Sequence, residues 1–60
     1  MKTYEVTVEK LMNDGKTVFC EEVYLIMART PEDAKAIVNN KLVMDYEPRF
    51  RISFVEEVTK

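Results

Sequence analysis

Sixty residues carry nine basic and eleven acidic side chains for a net charge of −2, with one cysteine, one glycine and no histidine. One thiol forms no disulfide within the chain, and without histidine the soft ligand set of a structural zinc site is missing. The commonest general base is absent, one glycine builds no phosphate-cradling loop, and the charge balance offers no footprint for a nucleic-acid backbone.

This length allows one domain, residues 1–60. Below ~70 to 80 residues an apolar core rarely supplies more than about 3 to 5 kcal/mol, so such chains usually add a disulfide, a metal or a partner. With the first two gone, self-association is the expected reinforcement.

The N-terminal Met1-Lys2-Thr3-Tyr4-Glu5 alternates polar and apolar residues and has no h-region of a signal peptide. The longest apolar run, Val23 to Ala28, is far short of the ~20 residues of a membrane-spanning helix. With a single unpaired thiol, the cytoplasm is the expected compartment.

From Thr3 to Met12 the chain alternates, with Tyr4, Val6 and Val8 on one side and Glu5, Thr7 and Glu9 on the other, the signature of a half-buried strand. Asn13-Asp14-Gly15-Lys16 then marks a hairpin. Two registers remain open. In a two-residue Asp14-Gly15 loop, Asn13 faces Lys16, so that Val6 meets Val23 and Tyr4 meets Leu25. In a type I turn with a glycine bulge, Met12 faces Lys16, and Cys20, Glu22 and Tyr24 lie opposite Val8, Val6 and Tyr4. Under either, Val23, Leu25 and Met27 take one face of the second strand and Tyr24, Ile26 and Ala28 the other. One helix covers only one of these sets.

That helix is announced by Thr30-Pro31-Glu32-Asp33. Thr30 is a good N-cap, Pro31 at the first helical position loses no bond, and Asp33 stands where a capping box places an acid. Ala34, Ile37, Val38 and Leu42 form its apolar stripe, expected to pack on Tyr4, Val6 and Val8. Its end falls between Asn39 and Met44, since Pro48 forces Glu47 into extended geometry. Arg49 to Val58 alternates again, with Phe50, Ile52 and Phe54 on one face.

The order strand, strand, helix, strand predicts an α+β fold: β-β-α-β, a three-stranded antiparallel sheet in spatial order 2-1-3 with the helix on one face. In layout, Glu22 to Glu57 resembles a small archaeal large-subunit ribosomal protein. Where that family has a basic Gly-Ser-Lys-His segment after the helix, this chain has Val43-Met44-Asp45-Tyr46. The resemblance therefore implies shared architecture and not rRNA binding.

No catalytic residue, cofactor site or metal site is expected. Glu21 and Glu22 follow Cys20 and oppose thiolate formation, and neighbouring glutamates in a strand point to opposite faces, as in Glu56-Glu57. Arg49-Phe50-Arg51 reads as a core phenylalanine between two solvent arginines, free to pair with Glu5 or Glu9 of a neighbouring strand. The candidate interface is Val23, Tyr24, Leu25, Ile26 and Met27, with a second copy of the chain or another protein as partner. The expected role is a small accessory, regulatory or inhibitory protein, a kind of chain also common among virus-encoded proteins. The alternatives are a ribosome- or nucleic-acid-associated protein and, third, a carboxylate-based enzyme subunit.

Overall fold

A computed structural model of the chain describes residues 1–58. Its elements are β1 (Lys2–Leu11), β2 (Val18–Ala28), α1 (Pro31–Met44) and β3 (Phe50–Glu57), an α+β arrangement. The strands form one antiparallel sheet in the order β2-β1-β3, so β1 is central and both β2 and β3 are edges.

Neither expected hairpin register holds along its whole length. At the turn the Met12 N–H donates to the Thr17 carbonyl at 2.8 Å and Leu11 sits opposite Val18, the pairing of the two-residue loop. The turn is nonetheless not type I′, which needs positive φ at both central residues: Gly15 has φ 70° and Asp14 has no positive φ. Instead the Gly15 N–H closes on the Met12 carbonyl at 2.9 Å.

Phe19 then enters as an extra residue on β2, and beyond it the pairing shifts by one, to Lys10–Cys20, Val8–Glu22, Val6–Tyr24 and Tyr4–Ile26. The bulge puts Tyr24, Ile26 and Ala28 on the same face as Tyr4, Val6 and Val8.

Helix α1 starts as its residues require. Thr30 is extended at φ −137°, ψ 159°, and its hydroxyl accepts from the Asp33 N–H at 3.1 Å. The helix ends in a Schellman pair, with Tyr46 N–H bonding to the Val43 carbonyl at 3.1 Å and Glu47 N–H to the Leu42 carbonyl at 3.0 Å. The residue at the left-handed position is Tyr46, φ 59°, where glycine is usual.

The core is Tyr4, Val6, Val8, Ala28, Ala34, Val38 and Leu42, all buried, with Tyr24, Ile26, Phe50, Ile52 and Val55 packed around it. The stripe is narrower than the expected one. Ala34, Val38 and Leu42 lie four residues apart on one line, and Ile37 falls on the flank, 45% exposed.

A second correction concerns β3. Val8 pairs with Ile52 but Thr7 with Phe54, so Ser53 is an extra residue and the alternation slips there. Phe50 and Ile52 face α1, as expected. Phe54 does not: Val55 takes the inward place opposite Val6, and Phe54 points to the open face, 57% exposed. Val55 thereby joins the residues packed against the core, in the place that unbroken alternation assigns to Phe54.

Candidate functional site

Strand β2 divides its apolar residues between two environments. Tyr24 and Ile26 are half-buried against the core, and Ala28 is buried. Val23, Leu25 and Met27 stand on the face away from α1, exposed at 56%, 67% and 64%. The five residues expected as an interface are therefore not one surface: Tyr24 and Ile26 support the fold, while the other three are open to solvent.

The open face gains a member that the alternation of β3 concealed. Thr7 lies between Val23 on one side and Phe54 on the other, so a small threonine separates two exposed apolar side chains. The signal was present in Phe54-Val55, since of two adjacent apolar residues in a strand one must point outward.

Around this strip the face is acidic. Glu5 sits between Leu25 and Glu56, and Glu9 between Glu21 and Arg51. Arg51 pairs with Glu9, which leaves Glu5, Glu21 and Glu56 without an ion-pair partner among the described residues. Of the two expected arginine pairings only this one forms, since Arg49 instead donates to the Asn13 side-chain oxygen at 3.3 Å. Glu5 and Glu56 face each other directly, a like-charge pair that costs the isolated sheet a little stability.

The helix side holds a different charge cluster. Lys10 lies 3.3 Å from Glu22 and 3.5 Å from Glu47, and the Tyr24 hydroxyl donates to Glu22 at 2.7 Å. The Tyr24 hydroxyl and then Lys10 hold the Glu22 carboxyl below its usual range, and Glu22 in turn raises the tyrosine. Partial burial pulls Lys10 down, but Glu22 and Glu47 outweigh it and its pKa is raised. Lys10, Glu22 and Tyr24 are thereby held in their ordinary protonation states. The cluster ties β1, β2 and the segment after α1 together, and it presents neither a free base nor an activated nucleophile.

Cys20 is half-buried opposite Lys10. The adjacent glutamates split between faces: Glu21 and Glu56 stand on the open side opposite Glu9 and Glu5, Glu22 and Glu57 on the helix side opposite Val8 and Tyr4. No group of three or more histidine, cysteine or carboxylate side chains converges among the described residues. No helix is long and apolar enough to cross a membrane among them.

An open cleft lies at the hairpin end, lined by Leu11, Met12, Phe19 and Pro48 with Asp14, Glu47 and Arg49 at its rim. Its charged side chains are already engaged, Asp14 with Thr17, Glu47 with Lys10 and Arg49 with Asn13, so they do not converge on a ligand position. The sheet's open face remains the more distinctive surface.

No family model, curated protein or solved structure matches this chain.

Proposed function

We propose that this chain is a non-catalytic protein-binding module, a small accessory, regulatory or inhibitory protein that engages its partner through β2. One observation carries the reading: Val23, Leu25 and Met27 form an apolar strip along the open face of β2, with Phe54 across Thr7 from Val23, each more than half exposed. Fully burying a side chain of this size is favourable by about 1.5 to 3 kcal/mol, a large amount for so small a core. A contiguous patch of this kind on a sheet with a free edge is the usual mark of a protein interface.

Nucleic acid finds less support as a partner. The basic residues do not converge on one surface: Lys2 pairs with Glu57, Lys10 with Glu22 and Glu47, Lys41 with Asp45 and Arg51 with Glu9. The open face, where Phe54 would stack on a base, carries the unpaired Glu5, Glu21 and Glu56 instead.

Photo-crosslinking in cells tests the reading. A photoreactive residue at position 25, on the open face, is expected to give discrete protein adducts, the chain itself included. The same residue at position 39, on the exposed side of α1, is expected to give none. Equal yields from the two positions, or none from position 25, would refute it.

A further inference from the structure

The two free edges of the sheet differ in how well they are blunted, and β2 is the open one. Edge strands in soluble proteins are usually protected by charge, proline or a bulge. β3 has its bulge in the middle, at Ser53, with Arg51, Glu56 and Glu57 along its length. The bulge of β2 lies at its hairpin end, at Phe19, and from Cys20 to Ala28 the strand keeps an uninterrupted register with β1. Its stretch Val23 to Ala28 has no charged residue and no proline.

A symmetric pairing of β2 with its own copy has few choices. A two-fold axis perpendicular to the sheet keeps open face with open face, so odd-numbered residues meet odd-numbered ones and even meet even. With Val23 on the axis, Glu21 would stand against the copy's Leu25. With Tyr24 on the axis, Glu21 would stand against Met27. With Ile26 on the axis, Val23 would stand against Arg29.

Centring on Leu25 removes each of these conflicts and sets only Glu22, already held by Lys10 and Tyr24 on the helix side, against Ala28. Leu25 then meets Leu25, Val23 meets Met27, Tyr24 meets Ile26, and Glu21 meets Arg29. Glu21 and Arg29 are both exposed and neither has an ion-pair partner among the described residues. They bracket the apolar stretch at equal distance from Leu25, one acid and one base, as a self-complementary edge requires.

Stacking two copies face to face fares worse. It would bury the unneutralised Glu5, Glu21 and Glu56 of both copies in one interface.

We infer that the partner of β2 is a second copy of this chain, paired antiparallel edge to edge about Leu25 into a continuous six-stranded sheet, with Glu21 of each copy against Arg29 of the other. The inference rests on the reading of β2 as the contact element and specifies its occupant. In this assembly both helices lie on one side of the joined sheet, Val23, Leu25 and Met27 meet their copies side by side on the other, and Phe54 on the far edge strand stays outside the joint. Ile37, on the flank of α1 beside Ala28, lies toward the joint.

Sedimentation equilibrium of the full chain, with charge exchange at the two ends of the pairing, tests it. The wild-type chain is expected to dimerise. Glu21→Arg and Arg29→Glu are each expected to weaken the dimer by about tenfold or more, because each sets like charges together at both ends. Mixing the two variants is expected to restore wild-type affinity as a heterodimer, in which both pairs are again opposite in sign. Among the described residues neither side chain makes a hydrogen bond or ion pair, so both variants should keep the fold, which circular dichroism checks.

As a second measurement, amide exchange in Cys20–Ala28 should lose protection on dilution while that in β3 does not. A 7.1 kDa monomer at millimolar concentration overturns the inference. So does a dimer that neither variant weakens, or a mixture without heterodimer preference. Adducts from position 25 to another protein, with the purified chain monomeric, would overturn this inference and leave the binding-module reading standing.

Discussion

β2 and β3 flank the same central strand, run antiparallel to it and carry one extra residue each, yet they are built to different ends. The extra residue in β2 sits beside the turn and leaves a long regular edge behind it. In β3 it sits mid-strand and breaks the edge in two. Their approaches differ as well. β2 is reached through Gly15, for which φ 70° carries little penalty, and β3 through Tyr46, whose side chain is 91% exposed while its backbone is held at φ 59°. A bulge at the end of a strand thus re-aims its side chains and keeps the edge available, whereas a bulge in the middle blunts it.

The largest effect should come from the residue on which both edges depend. Val6 is fully buried and pairs with Tyr24 on one side and Val55 on the other. Val6→Ala removes two methyl groups and leaves a cavity under α1, which should cost about 2 to 3 kcal/mol. Against a core of this size that is most of the stability, and both edges should be lost in one transition by denaturant melts. Amides of β2 surviving while those of β3 exchange would show that the edges are independent.

Tyr46→Gly sharpens the contrast between the two approaches. A non-glycine residue in the left-handed region costs on the order of 1 kcal/mol or more, and glycine's greater freedom in the unfolded chain offsets part of any gain. The substitution should therefore stabilise the chain by about 1 kcal/mol, read as a raised unfolding midpoint. An unchanged midpoint would mean that the exposed tyrosine side chain makes up the difference.

These same places mark where the sequence stops being legible. Thr30 and Pro31 announced the helix start because a cap is a local structure, complete within a few residues. Asp14-Gly15 located the hairpin for the same reason. The order β2-β1-β3 followed from the helix returning the chain to the start of β2 and from the right-handedness of such a crossover.

The bulges left a fainter trace, in β3 only the adjacent apolar pair Phe54-Val55. Phe50, Ile52 and Phe54 alternate without fault, and only the contest between Phe54 and Val55 for the place opposite Val6 decides against them. Likewise, the split of Tyr24 and Ile26 from Val23, Leu25 and Met27 was legible. Which set faces inward waited on Phe19.

Removing Ser53 tests the bulge of β3 directly. Because Ile52 already pairs with Val8 and Phe54 with Thr7, deletion should leave every pairing in place and only flatten the strand. The expected change in stability is below the ~1 kcal/mol of an average point substitution. Had the alternation run unbroken through Phe54, the same deletion would turn Phe54 to Glu57 onto the wrong faces and unfold the strand. Two-dimensional NMR contacts between Val55 and Val6 distinguish the outcomes.

The smallest effect lies at the turn that feeds β2, and only acid reveals it. The Asp14 carboxylate accepts from the Thr17 hydroxyl and from the Thr17 and Lys16 N–H groups, both at 2.8 Å, and these donors hold its pKa down to about 2. A carboxyl whose folded pKa is lowered stabilises the fold fully above its unfolded value, near 4, and stops doing so as pH falls through the folded value. The turn should thus be indifferent to pH down to about 4 and loosen between about 4 and 2. The Lys16 and Thr17 amide resonances should titrate together with a midpoint near 2, and Asp14→Asn should abolish that titration. A midpoint near 4 would mean that the three donors do not hold the carboxylate in solution, and that the turn into β2 is no better anchored than the one into β3.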